Sequence, residues 1–254
     1  MTLDYYNWLF VFMRISAFLL VLPFFSTVNF PHVMRVALSA ITALLVAPLL
    51  PPFALGKLSF YATLGLMFQE ISIGLLLGFI ARVIFFAVDL AGNIVGMEMG
   101  LNLGAMMNPA SQQNTQAPGM ILFFLASVVM LTLDLHHWIL MGFERTYTVL
   151  PIGGAHLNSA LFETIVGQTT RIFVVALQIS APMIAVSFVV TMVFAVLSRA
   201  VPQMNVFAES FGFRIAAGLI VFGFTLQLTA LHVMNYLHRL PDDLLIIAQI
   251  MGKG

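Results

Sequence analysis

Ionisable side chains inside apolar stretches are the residues of this sequence best placed to do chemistry. They are Arg14, Glu70, Arg82, Asp89, Asp134 and Arg171. Each would cost about 2.5–3.5 kcal/mol at the centre of a bilayer, so each must pair, reach the interface or lie outside lipid. Glu70 and Arg82 are close to three helical turns apart, too distant to pair with each other. An ion relay and structural pairing between helices or subunits both fit these charges, and structural pairing is favoured.

Metal and enzyme chemistry find little support in the sequence. Adjacent residues of a helix point about 100° apart, so we expect His136 and His137 not to share a metal ion. Beside Trp138 they fit the interfacial end of a membrane span. The chain has no cysteine, which excludes thiolate sites. It also lacks the GxSxG, HExxH and Walker patterns, so we expect neither catalysis nor a metal or cofactor. Asn108-Pro109-Ala110 resembles a water-channel box, but no second box follows.

Composition indicates a membrane protein. Of 254 residues, 61% are hydrophobic and 8% are charged, whereas a soluble domain is about one quarter charged. Ten basic residues balance ten acidic ones, so there is no basic footprint for nucleic acid. Lipid or partner protein must cover much of the surface.

Six apolar segments are candidates for membrane spans, which need about 20 residues. They are Trp8–Val28, Val36–Leu50, Leu58–Leu90, Gly119–Leu135, Ile172–Leu197 and Phe211–Met234. No strand-like alternation is seen, so the predicted fold is all-α, a polytopic helical membrane protein. With no cation before Arg14, we expect the first segment to be a retained span rather than a signal peptide. We expect Pro241 to start a new short helix.

Glycines recur at four-residue spacing. Gly92, Gly96, Gly100 and Gly104 form one series, and Gly74 and Gly78 precede it. Such spacing places glycines on one helix face, where another backbone can approach closely. The sequence predicts close helix packing, either within the chain or against another subunit.

The order and spacing of several fragments resemble the FliR family, the R-type membrane subunits of bacterial flagellar export gates. The fragments are Arg14, Pro23-Phe24-Phe25, Pro31, Arg35, Gln69-Glu70 with Gly74 and Gly78, Ala91–Ser111, Leu150-Pro151-Ile152-Gly153, Ala181-Pro182 and Ser198–Leu219. They extend over essentially the whole chain. The family usually has an aspartate where Asn108 stands. The stretch Gly96–Gly100 resembles the flagellar branch more than its virulence type III secretion counterpart.

The resemblance implies a subunit of a helical, pore-forming assembly in the bacterial inner membrane. Residues 1–165 would be similar in fold to the P-type subunit and 166–254 to the Q-type subunit. Both subunits, the export switch protein, unfolded flagellar cargo and lipid would be partners. Since much of such an assembly lies above the bilayer, apolar segments need not all span it. A transporter that works alone is the rival interpretation, but no pseudo-symmetric repeat of broken helices supports it.

Two polar connections, 97–118 and 199–210, are the candidate functional segments. The loop 97–118 is uncharged after Glu98, and flexible thioethers suit a seal that deforms around varied cargo. We therefore expect a pore plug at Met106, Met107, Asn108, Pro109, Gln112, Gln113 and Asn114. An ordinary solvated connection is the alternative.

We expect a subunit interface at Glu70, Arg82, Arg199, Pro202, Gln203, Glu209 and Arg214.

Overall fold

Seven α-helices make up the part of the chain that the computed structural model describes, residues 5–23, 25–26, 30–51, 59–101, 117–156, 158–203 and 205–253. They are α1 Tyr5–Val21, α2 His32–Val46, α3 Phe60–Glu98, α4 Ala117–Thr132, α5 Leu135–Val149, α6 Ser159–Ala200 and α7 Val206–Gly252. A 3₁₀ turn, Ala47–Leu49, follows α2. Within these residues no strand is present, which confirms the predicted all-α class.

Helix lengths differ from the apolar segments of the sequence. By length and composition α2 with its 3₁₀ turn, α3, α6 and α7 are long and apolar enough to cross a membrane, and the broken pair α4–α5 is a possible fifth span. The first helix has 17 residues and ends at Val21, two residues before Pro23. The expected span to Val28 is therefore wrong in its boundary, since proline lacks the amide that would continue the helix.

Contacts divide the chain into two compact units. One comprises Met1–Val83, Asp134–Thr169 and Leu237–Gly254, and the other comprises Ile84–Leu133 and Thr170–Tyr236. This division follows packing, whereas the predicted boundary at residue 165 follows likeness to two other subunits. That boundary stays a prediction.

The helix α7 passes through Pro241 without ending, so the expected helix start at this residue is wrong. In the first unit, a Cβ on Gly142 of α5 would lie 2.9 Å from the Cα of Pro241. Beyond the proline, Leu244, Ile247 and Met251 are buried. This packing holds the last turns although proline removes a hydrogen bond of the helix.

An asparagine fastens the end of α7 to the start of α6. The side-chain amide of Asn158 donates to the carbonyls of Ile250 (2.8 Å) and Lys253 (3.0 Å). Its oxygen accepts the amide of Leu161 (2.8 Å), as a helix N-cap does. Carbonyls at the end of a helix have no partner within that helix, and Asn158 provides one.

Glycines on α3 lie where backbones meet. In the first unit, a Cβ on Gly74 would meet the carbonyl oxygen of Arg14 on α1. In the second unit, a Cβ on Gly92 would meet the backbone of Gly119 on α4. Both contacts are within the chain, and packing of this glycine series against another subunit stays a prediction.

The glycine series does not stay on one helix. Gly100 lies past the end of α3 with φ +78°. The amides of Gly100 and Leu101 donate to the carbonyls of Met97 (2.9 Å) and Gly96 (3.0 Å). This pair of bonds ends a helix at a left-handed residue, which glycine adopts without steric cost. The predicted helix face is therefore wrong at Gly100, and Gly104 lies outside the described residues.

Two alanine substitutions on α3 separate close packing from helix propensity. Gly92→Ala places a methyl group on the backbone of Gly119, and we expect it to lower the free energy of unfolding by about 1–3 kcal/mol. Gly65→Ala enters open space on the same helix, and we expect no loss or a gain of up to about 1 kcal/mol. Thermal unfolding of the purified chain in detergent measures both. Equal effects of the two substitutions would contradict the contact at Gly92.

Candidate functional site

The centre of the first unit is a buried ion pair. The Arg14 Nε donates to Glu70 Oε2 at 2.6 Å and Arg14 Nη2 to Glu70 Oε1 at 3.1 Å. Both side chains are 0% exposed. Two parallel bonds between a guanidinium and a carboxylate fix the relative orientation of the groups as well as their distance. The pair thereby sets the register of α1 against α3.

Backbone groups and an aromatic ring complete the surroundings of the pair. Arg14 Nη1 donates to the carbonyl of Leu150 at 3.0 Å, and the amide of Gly153 donates to Glu70 Oε1 at 3.1 Å. The guanidinium carbon lies 4.2 Å from the centre of the Tyr147 ring. A buried ion pair is stable only when the remaining donors and acceptors also find partners, and these contacts provide them.

The chain between α5 and α6 therefore docks onto this ion pair. Gly153 has φ +77°, a left-handed conformation that side chains with a Cβ rarely adopt. One residue before Glu70, the side-chain amide of Gln69 donates to the carbonyl of Ala155 at 2.6 Å. Two adjacent residues of α3 thus hold both ends of a short loop segment.

Close helix approach is what brings the charges together. Gly74 lies one turn after Glu70 and contacts the backbone of Arg14 itself. One turn further on, a Cβ on Gly78 would lie 3.0 Å from the carbonyl oxygen of Phe18. Without a Cβ at these positions, α1 and α3 come near enough for the short bonds between Arg14 and Glu70.

Arg82 binds the end of α1. Its Nη1 lies 3.4 Å from the carbonyl of Val21 and 3.3 Å from Ser26 Oγ. A cation is favourable at the negative end of a helix, where carbonyls lack partners within the helix. The hydrogen-bond partners of Glu70 and Arg82 described here all belong to this chain. Their assignment to an interface between subunits stays a prediction.

A helical hairpin forms much of the second unit. Phe194 of α6 and Phe213 of α7 have ring centroids 5.4 Å apart. Arg214 Nη2 donates to Thr191 Oγ1 at 2.9 Å, whereas for the buried Arg214 Nε no described residue is a hydrogen-bond partner. As the residue numbers rise on one helix and fall on the other, the two helices run antiparallel.

The tip of the hairpin carries four of the predicted interface residues, all exposed. They are Arg199, Pro202, Gln203 and Glu209. Arg199 lies in the last turn of α6 and Glu209 in the first turn of α7. Each charge is favourable at its own helix end, so local helix stability also accounts for them. An interface role for the tip stays a prediction.

The structure corrects the expectation about the side chains of His136 and His137. The rings of His136 and His137 lie with centroids 4.1 Å apart, so the expectation that these side chains diverge is wrong. The reason is that side-chain rotation brings the rings together although their Cα–Cβ bonds diverge.

The predicted plug residues Met106, Met107, Asn108, Pro109, Gln112, Gln113 and Asn114 lie outside the described residues.

Sequence reasoning missed the partner of Glu70. In the sequence, Arg14 and Glu70 are separate charges in different apolar segments. Opposite charges in two apolar helices were the available signal, but nothing in the sequence chooses between Arg14 and the other arginines. Tyr147 was missed because aromatic residues are frequent in this chain.

Breaking the ion pair from one side tests its importance. We expect Glu70→Gln to lower the free energy of unfolding by about 3–5 kcal/mol, because it leaves Arg14 buried without a counter-charge. Replacing both residues, Arg14→Met with Glu70→Leu, restores part of the loss. The restoration is incomplete because Leu150 and Gly153 lose their partners. Thermal unfolding in detergent is the measurement.

Glu163 is the matched control, since it is exposed on α6. We expect Glu163→Gln to change the free energy of unfolding by no more than about 0.5 kcal/mol. If the double replacement destabilised the chain by the sum of the effects of Arg14→Met alone and Glu70→Leu alone, Arg14 and Glu70 would not act as a pair.

The known proteins that are similar to this chain are bacterial export proteins. Residues 5–240 match the family described as "Bacterial export proteins, family 1". The chain is 30% identical over 246 residues to the "Flagellar biosynthetic protein FliR" of Escherichia coli (strain K12), covering 96% of this chain and 93% of that protein. For the protein of the same name from Bacillus subtilis (strain 168), the identity is 30% over 217 residues, covering 84% and 83%. The one from Aquifex aeolicus (strain VF5) is 25% identical over 228 residues, covering 89% and 87%.

Proposed function

The chain belongs to the family of bacterial export proteins, family 1, and on that premise we propose that it is a structural and gating subunit of a flagellar type III export gate. Together with P-type and Q-type subunits it would form a pore in the bacterial inner membrane. Unfolded flagellar proteins pass through this pore during assembly of the flagellum. The equivalent role in a virulence secretion system is not favoured, since the relatives named above are flagellar proteins.

The observation that carries this proposal is the uncovered apolar surface of α6 and α7. They have 42 and 47 residues, which at about 1.5 Å per residue correspond to about 63 and 70 Å. A bilayer offers about 30 Å of hydrocarbon. Only 28% and 17% of their most apolar stretches are buried within the chain. Lipid cannot cover helices of this length alone, so neighbouring protein subunits are needed.

A conducting role without chemistry of its own fits the described residues. Glu70 and Arg82, two of the charges that the sequence singled out in the first unit, hold helix ends and loops in place. The structural task of the chain is thus to hold long helices at fixed positions around a passage. We infer that it is not an enzyme and that export energy comes from other components.

We further propose that the segment from Met106 to the start of α4 at Ala117 closes the passage at rest. An open passage for an unfolded chain would leak ions, so an uncharged, deformable filler is required. About a dozen residues reach on the order of 20 Å out and back at about 3.3–3.6 Å per extended residue. Thioethers and neutral amides would seal against varied cargo without retaining its charges.

Deleting 108–116 tests this gate. We expect the complex to assemble but the resting membrane to leak small ions, because the filler of the passage is gone. Dye or ion leakage in cells is the readout, with assembly checked by co-purification of the P-type and Q-type subunits. Replacing the same nine residues by a Gly/Ser linker of equal length controls for chain length. An assembled deletion complex as tight as the wild type would place the seal in the neighbouring subunits.

A photocrosslinker at Gln203 tests the interface proposed for the hairpin tip. Gln203 is exposed at the turn between α6 and α7. We expect capture of a Q-type subunit or of the export switch protein, detected by immunoblotting of crosslinked membranes. The same crosslinker at Phe224, an exposed apolar position on α7, is the control for labelling along the helix body. Capture of neither protein at Gln203 would contradict the interface.

A further inference from the structure

Three metal-ligating side chains meet where α5 begins. Asp134, His136 and His137 each offer one ligand atom, and these atoms lie within 4.8 Å of one another. His137 Nδ1 lies 3.5 Å from Asp134 Oδ1. The two imidazole rings are 4.1 Å apart at their centroids. All three residues belong to the first unit, and the export function uses none of them.

Within the described part of the chain, the Asp134 carboxylate and His136 Nδ1 make no hydrogen bond to residues outside this group. Aspartate before a helix usually accepts an amide of the first turn, yet Asp134 makes no such side-chain bond. Its carboxylate faces His137 instead, at a distance too long for a strong hydrogen bond. His136 Nδ1 is buried from solvent and finds no hydrogen-bond partner among the residues that the structure describes. A buried polar nitrogen without a partner is costly, and a metal ion would satisfy it.

We propose that Asp134, His136 and His137 bind one divalent transition-metal ion, with Zn²⁺ as the best fit. Two neutral imidazoles and one carboxylate form a three-ligand set that leaves a fourth position open to water. Imidazole nitrogens favour Zn²⁺, Cu²⁺ and Ni²⁺ over Mg²⁺ and Ca²⁺, which prefer oxygen ligands. The bound ion would hold the first turn of α5 in place.

The geometry needs only a small adjustment to bind the ion. Zn²⁺ bonds of about 2.0–2.1 Å in tetrahedral arrangement place ligand atoms about 3.3 Å apart. Asp134 and His137 have side chains 71% and 64% exposed, so both can rotate by the ångström required. His136 is less exposed than the other two side chains, so we expect it to set the position of the ion.

Calorimetric titration of the full-length chain with ZnCl₂ tests the site directly. The chain is purified without a histidine tag in detergent or nanodiscs. We expect one saturable site per chain, and Asp134→Asn, His136→Asn and His137→Asn should each weaken it by at least about 10-fold, since even outer-sphere substitutions cost about 10–100-fold. Asparagine tolerates the left-handed conformation of Asp134, φ 54°. His137→Asn alters an exposed side chain, so it keeps the test decisive if His136→Asn does not fold.

His32→Asn is the matched control, because His32 is an exposed histidine at the start of another helix, α2. It should leave Zn²⁺ binding unchanged. A second readout locates the ion: in a Trp8→Phe background the single remaining tryptophan, Trp138, adjoins the site, and Cu²⁺ should quench it saturably. Binding weaker than about 0.1 mM in the wild type, equal binding by the three variants, or loss of binding in His32→Asn would overturn the proposal.

Discussion

The bidentate contact between Arg14 and Glu70 is the interaction on which the first unit depends. Neither side chain is exposed to solvent, and a lone charge at such a position is strongly destabilising. The two helices that carry the charges must therefore adopt one register, and the chain after α5 must present a carbonyl and an amide at fixed places. One electrostatic requirement thus orders three parts of the chain that are far apart in sequence.

Glycines, which have no side chain, make the contact between Arg14 and Glu70 possible. Gly74 lets the backbone of α1 approach α3 beside the ion pair, Gly92 does the same for α4 in the second unit, and Gly142 accommodates Pro241. In an apolar solvent there is little hydrophobic force between helices, so close backbone packing and polar contacts supply the specificity. The glycines allow the helices to approach closely, and the buried charges make the packing specific.

The second unit differs from the first in the large apolar surface that its helices leave exposed. The α6–α7 hairpin is held by aromatic contact and by Arg214, yet most of its apolar residues face outward. Uncovered apolar helix faces of this extent fit a subunit whose surface is covered by lipid or by other subunits of an assembly. Membership in a family of export proteins and this surface are consistent with each other, although each rests on independent observations.

The sequence by itself determined the all-α membrane class, the approximate positions of the apolar segments and the glycines that permit close packing. These properties depend on local composition and on helical periodicity, which can be followed along the chain. Only the tertiary structure decided that Glu70 pairs with Arg14 and the loop at Gly153, that α3 ends at Glu98, and that α7 continues through Pro241. The reason is that these outcomes depend on contacts between distant residues, separated by 56 positions for Arg14 and Glu70 and by 136 for Arg14 and Leu150, and no local pattern selects one distant partner over another.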